Sequence, residues 1–161
     1  MTESTEPSPL ALALGRVPTG LYIVATRDAG KPAGFVGSFV VQVAFEPPTV
    51  CVAIGRDRAH LSAVRNSGRF AVSILDGESS GLMGPFFKGY EGEETAFDHV
   101  EHADSPGGMP VLPGALAWLD CVVSGEHDAG DHIVVFGTVE NAVLTREGDP
   151  SVHLRKNGLS Y

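Results

Sequence analysis

Apolar residues along this chain come in short runs that alternate at a period of two, which puts every second side chain on one face of a strand. GLYIVAT (20–26) predicts a first strand and RDAGKP (27–32) its turn. Residues 33–45 predict a second, ended by Pro47-Pro48 because proline cannot donate to a ladder. TVCVAIG (49–55) and RFAVSIL (69–75) predict two more. ALAWLDCVVSGEH (115–127), a DAGD turn relieved by Gly130, and HIVVFGTVENAVL (132–144) predict a hairpin, with a last short strand near 151–155. Helical spacing is confined to LALALGR (10–16), stopped before Pro18, and to RDRAHLSAVRNSG, where Leu61, Ala63 and Val64 share a stripe. In the latter, Asp57 is the expected N-cap and Gly68 the C-terminal glycine. Residues 76–113 read as irregular, with one short helix near 79–87. About seven closely spaced strands with one or two short helices predict a mainly β fold, an antiparallel barrel. A loose tail over 1–9 and one domain over 10–161 are expected, with no internal repeat and no linker.

One stretch departs from plain alternation. In GFVGSFVVQVAFEPP (34–48) the odd positions from Phe35 to Phe45 are apolar or glycine, as a core face requires, while Ser38 and Gln42 interrupt the even face. That is a dry wall with a hydroxyl and an amide set into it.

Composition sharpens this picture. The 161 residues can bury about 70% of their unfolded surface, and 20 Gly with 11 Pro suit short strands and many turns. Twenty acidic against eleven basic residues give a net charge of -9, which argues against a nucleic-acid surface. Four of the eleven basic residues, Arg56, Arg58, Arg65 and Arg69, nevertheless fall within fourteen positions. Cys51 and Cys121 sit in apolar runs and read as buried thiols of a reducing compartment. No apolar stretch approaches the ~20 residues of a membrane span, and the first residues lack the basic region of a signal peptide. The expectation is a cytoplasmic protein without a membrane or nucleic-acid partner.

Candidate chemistry is sparse. GESSG (77–81) fits the G-x-S-x-G nucleophile pattern with Ser79, but a hydrolase elbow needs strand–turn–helix alternation that this chain lacks. His99 and His102 have no third ligand at metal spacing, so no metal site is expected. IGRDRAHL (54–61) runs a strand into a helix start, where free backbone N–H groups favour an anion and Arg56 and Arg58 add charge. His132 follows a tight turn at the mouth of a strand. Together these features suit a flat aromatic cofactor with an anionic tail.

In order, VPTGLYIVAT, GFVGSFVVQVAFEPPTVCVAI, GRDRAHLSAVRNSGRFAVSIL and LDCVVSGEHDAGDHIVVFGTV resemble the flavin reductase-like, FMN-binding split-barrel proteins, including the reductase-like modules fused to flavodiiron proteins. The resemblance implies an antiparallel split β-barrel that forms a homodimer and holds FMN, with FAD as the other flavin, near the dimer interface. It implies contacts to the flavin from Val36, Gly37, Ser38, Phe39 and Gln42. Arg56, Arg58, Ala59 and His60 fall around its phosphate and ribityl chain, and His132 where nicotinamide docks. The implied activity is hydride transfer from NADH or NADPH to flavin, with a flavin-dependent monooxygenase as partner for the product. One departure is Val36, where the family often has Thr; it favours the rival reading of an FMN-carrying electron-transfer module. A serine hydrolase built on Ser79 is the remote alternative.

Overall fold

Seven of the alternating runs hydrogen-bond side by side into one antiparallel sheet in the computed structural model, which describes residues 6–161. In chain order the strands are β1 (Tyr22–Asp28), β2 (Lys31–Gly37), β3 (Val40–Phe45), β4 (Pro48–Gly55), β5 (Arg69–Ile74), the two-residue pair β6 (Ala103–Asp104) and β7 (Pro110–Val111), then β8 (Ala117–Asp128) and β9 (His132–Leu144). The large sheet has the order β2-β1-β5-β8-β9-β4-β3. Consecutive strands β2 and β3 therefore lie on opposite edges, joined only by Ser38 and Phe39. Laid flat, seven strands would hold those edges roughly 29 Å apart. The link from Gly37 to Val40 reaches at most about 11 Å. The sheet must curl until its edges meet there, and the result is a split barrel. Phe39 stitches the seam to the next strand, its carbonyl accepting from the Ala53 N–H at 3.0 Å.

This seam corrects the expected continuous strand over 33–45. It also corrects the expected apolar core face, since Val41, Val43 and Phe45 are 57%, 48% and 88% exposed. The chain changes sheet edge at Ser38–Phe39 and its pairing slips between Gln42 and Ala44, so alternation read across that point no longer tracks one surface. The barrel interior is filled by Val24, Val52, Phe70, Val72 and Val135. Gly137 is required there, because a Cβ would stand 2.5 Å from the Phe70 ring.

Helix α1 (Pro9–Leu14) starts inside the expected loose tail, capped by Ser8; the rest of that expectation over 1–5 lies outside the described residues. Helix α2 (Ala59–Ser67) turns Leu61 and Val64 into the core and stops at Gly68, whose φ of 69° is the left-handed turn a glycine tolerates. Its N-cap is Arg58, without a side-chain cap, rather than the expected Asp57. The expected helix near 79–87 is a 3₁₀ segment, Ser80–Phe87. The last strand is absent: residues 150–153 make isolated bridges, Asp76 to Pro150 and Thr19 to His153. Among the described residues no helix is long and apolar enough to cross a membrane.

Candidate functional site

Where the barrel edges converge, a cavity of about 520 Å³ opens between the seam, the start of α2 and the 3₁₀ segment. Leu21, Val36, Ile54, Met83, Phe86 and Phe87 make its walls apolar. The strands supply rigid backbone, and Gly37 keeps the wall close, since a Cβ there would sit 3.0 Å from Val24. Of the residues expected at a cofactor, Val36, Gly37, Ser38, Phe39, Arg58 and His60 line this cavity. A second, more open cavity of about 670 Å³ lies under β3 beside Cys51 and shares Ser38 and Phe39. It is poor in charged groups, so the first is the better place for an anionic ligand.

Three of the four clustered arginines are already paired. Arg56 donates from Nε to Gly130 O at 2.6 Å and pairs with Asp128. Arg65 forms a two-pronged pair with Glu126 at 3.0 and 2.7 Å, and Arg69 pairs with Glu140 at 2.7 Å. Arg58 is the member of this cluster without an ion pair among the described residues, and it is the one at the cavity. Beside it the first N–H groups of α2 have no side-chain cap. A helix start without a side-chain cap, beside an arginine without an ion pair among the described residues, suits an anion. Burial pulls the half-buried His60 imidazole below its ordinary pKa, and its ring stands 4.8 Å from that of Phe35. Burial thus favours the neutral form of His60 at the wall.

Four expected residues, Gln42, Arg56, Ala59 and His132, lie outside the cavity lining. Gln42 is exposed on β3, and its amide donates to Ala44 O at 3.2 Å. Ala59 opens α2 but does not line the cavity. Arg56 holds the β8–β9 turn, its backbone N–H also donating to Asp131 O at 2.9 Å. That turn carries His132, which stands edge-on 5.6 Å from Phe39, one ring behind the cavity wall. His132 Nδ1 faces Asp131 Oδ1 at 2.8 Å and Nε2 faces the Tyr161 hydroxyl at 2.5 Å.

Sequence reasoning missed His153, Arg155 and Tyr161, which close the cavity from the end of the chain. Arg155 lays its guanidinium 4.9 Å over the Phe39 ring, and its buried Nε has no hydrogen-bond partner. A signal existed: His153 and Arg155 are two apart, the spacing that shares a face in an extended segment. The apolar run SGLMGPFF, read only as a short helix, supplies Met83, Phe86 and Phe87 to the same cavity.

The residues present fit a flavin. Apolar walls offer contact to a ring, the volume lies within the ~300–1,000 Å³ of cofactor pockets, and Arg58 and Arg155 bring two cations to the lining. The other motifs close on themselves. Ser79 is buried, with its Oγ donating to Asp76 Oδ1 at 2.6 Å, and no histidine among the described residues bonds to it. His99 hydrogen-bonds Glu94 at 2.5 Å, and no metal-sized cluster includes it or His102 among the described residues.

The flavin reductase like domain family matches residues 14–158. The chain is 35% identical over 156 residues to diflavin flavoprotein A 1 of Synechocystis sp., covering 96% of this chain and 27% of that protein, so it spans about a quarter of such relatives. It is 32% identical over 153 residues to the flavin-dependent monooxygenase reductase subunit HsaB of Rhodococcus jostii, covering 95% of this chain and 77% of the relative. The crystal structure of nitrilotriacetate monooxygenase component B from Mycobacterium thermoresistibile superposes with a TM-score of 0.80 at 31% identity, over 89% of this chain and 79% of that one.

Proposed function

Because this chain belongs to the flavin reductase-like family, we propose that its cavity binds FMN and that the protein reduces this flavin with NADH or NADPH. The observation that carries the reading is Arg58, the unpaired arginine of its cluster, at the end of an apolar slot and beside an uncapped helix start. Arg58 and the N–H groups of Ala59 and His60 hold the phosphate, with Arg155 as a second cation. Val36, Ile54 and Met83 give the ring dry contact and keep water off it; Ser38 and the backbone around Gly37 meet its polar edge. Bound flavin supplies the acceptor for the hydride that reduced nicotinamide gives up. The protein needs no strong base for this; its part is distance, orientation and exclusion of solvent. Arg56 acts indirectly, holding the turn that aims His132 toward the nicotinamide position. Gln42, turned back on its own strand, is left out of the flavin contacts.

The exposed apolar side chains of β3 support a homodimer that covers this edge, and sedimentation of the purified protein tests it. The relationship to a monooxygenase reductase subunit supports handing reduced flavin to a monooxygenase. Two free cysteines support a cytoplasmic setting. The absorbance spectrum with FMN, before and after adding reduced nicotinamide, tests the activity: bleaching of the flavin band is expected. A yellow protein that does not bleach would instead establish the FMN carrier, a reading favoured by Val36, which gives the cavity methyl groups where a hydroxyl would tune the flavin.

A further inference from the structure

Gly158 is held against α1, and the residues that follow it make few polar contacts among the described residues. Gly158 N–H donates to Ala11 O at 2.7 Å, and a Cβ at this position would meet Leu14 Cβ at 2.3 Å. Leu159 adds one local bond, to Asn157 Oδ1 at 2.9 Å. Tyr161 then reaches back into the cavity wall, its ring centroid 5.7 Å from Phe39 and 5.9 Å from His132. It is 74% exposed, and its hydroxyl contact to His132 at 2.5 Å is its polar anchor among the described residues. In the neutral form of His132, the Asp131 carboxylate, which only accepts, places the ring proton at Nδ1 and leaves Nε2 to accept from the Tyr161 hydroxyl.

We propose that Tyr161 is a displaceable plug, a resident aromatic ring that occupies the Phe39–His132 side of the cavity until a nicotinamide takes its place. The proposal rests on the reading of the cavity as a flavin and nicotinamide site. The space of about 520 Å³ suits one cofactor ring with its tail, and pockets for one ligand span roughly 300–1,000 Å³. A second ring needs the room that Tyr161 fills. The exchange is chemically matched: the carboxamide N–H of nicotinamide replaces the phenol O–H as donor to His132 Nε2, and one planar ring replaces another beside Phe39. A plug of this kind lowers apparent affinity by the fraction of time it is closed.

The test uses FMN-loaded protein carrying ring-¹³C tyrosine. There are three tyrosines, and the Tyr161 signal is the one lost in Tyr161→Phe. On titration with NAD⁺ or NADP⁺, which bind without reducing the flavin, the Tyr161 resonance should move to the free-tyrosine position while Tyr22 and Tyr90 stay. In parallel, Tyr161→Ala should tighten dinucleotide binding, read from flavin fluorescence, by roughly fivefold, with Tyr161→Phe in between. Dinucleotide binding with an unmoved Tyr161 signal, or weaker binding by Tyr161→Ala, would overturn the plug and leave the proposed activity standing. Binding of neither dinucleotide would overturn both.

Discussion

Two arginines at opposite ends of the barrel show how the same side chain becomes either structure or site. Arg146 donates to both oxygens of Asp76, at 3.0 and 2.6 Å, and to Gly114 O at 3.2 Å. Asp76 in turn is held by Ser79, whose backbone N–H and hydroxyl both donate to Oδ1. Every strong group there answers another, and the cluster staples the irregular stretch after β5 to the segment that follows β9. Arg58 lies on an apolar slot with no carboxylate among the described residues answering it. GESSG matched a nucleophile pattern without the alternation a hydrolase needs, and RDRAH offered a helix start that favours an anion. What separates them is whether the polar groups are already satisfied from within.

The largest effect that would sharpen this contrast comes from Asp76→Asn. It should lower the melting temperature by several degrees, because Arg146 loses its anionic partner, yet leave FMN affinity of the folded protein unchanged; calorimetry with and without FMN reads both. Arg58→Ala should do the opposite, weakening FMN by about 2 kcal/mol, roughly thirtyfold, at an unchanged melting temperature of the free protein. A flavin-fluorescence titration in which Arg58→Ala binds as tightly as the parent would break the site assignment.

Acid should act at the Asp76 end. Hydrogen bonds from Arg146 and Ser79 hold the Asp76 carboxyl at about 2 against an ordinary 3.8. The unfolded chain therefore takes up this proton first as pH falls. The stabilisation is complete above the unfolded value and drains away as pH drops from about 3.8 through about 2. Melting curves across that window should be less pH-dependent in Asp76→Asn. The smallest effect is expected from Arg56→Ala: about 0–1 kcal/mol of stability, the usual worth of an exposed ion pair, with FMN affinity close to the parent. A large loss of FMN affinity in Arg56→Ala would merge the two arginines into one phosphate site.

Much of this was legible in the primary structure. The apolar runs in 20–26, 49–55, 69–75 and 132–144 mark real strands because each buries its side chains, alternately in β4 and β9 and on both faces in the middle of β1 and β5, and Gly68 and Gly130 stop their elements where the backbone needs a positive φ. The strand 33–45 misled, because period two survives a change of sheet edge and carries no information on which surface it faces. Arg58 and Arg56 look alike in RDRAH; only the fold reveals that Asp128 and Gly130, more than seventy residues away, engage one and leave the other. Arg155 and Tyr161 escaped notice because a tail without periodicity gains its meaning from what it lies against.

The two-residue link between opposite sheet edges has a practical corollary for anyone re-engineering this scaffold. A circular permutant reopened between Ser38 and Phe39 could retain every ladder of the seven-strand sheet, since none depends on that peptide bond. It would lack the tether that forces the rim shut, and it should fold as a shallower trough with its ligand-binding cleft sprung open.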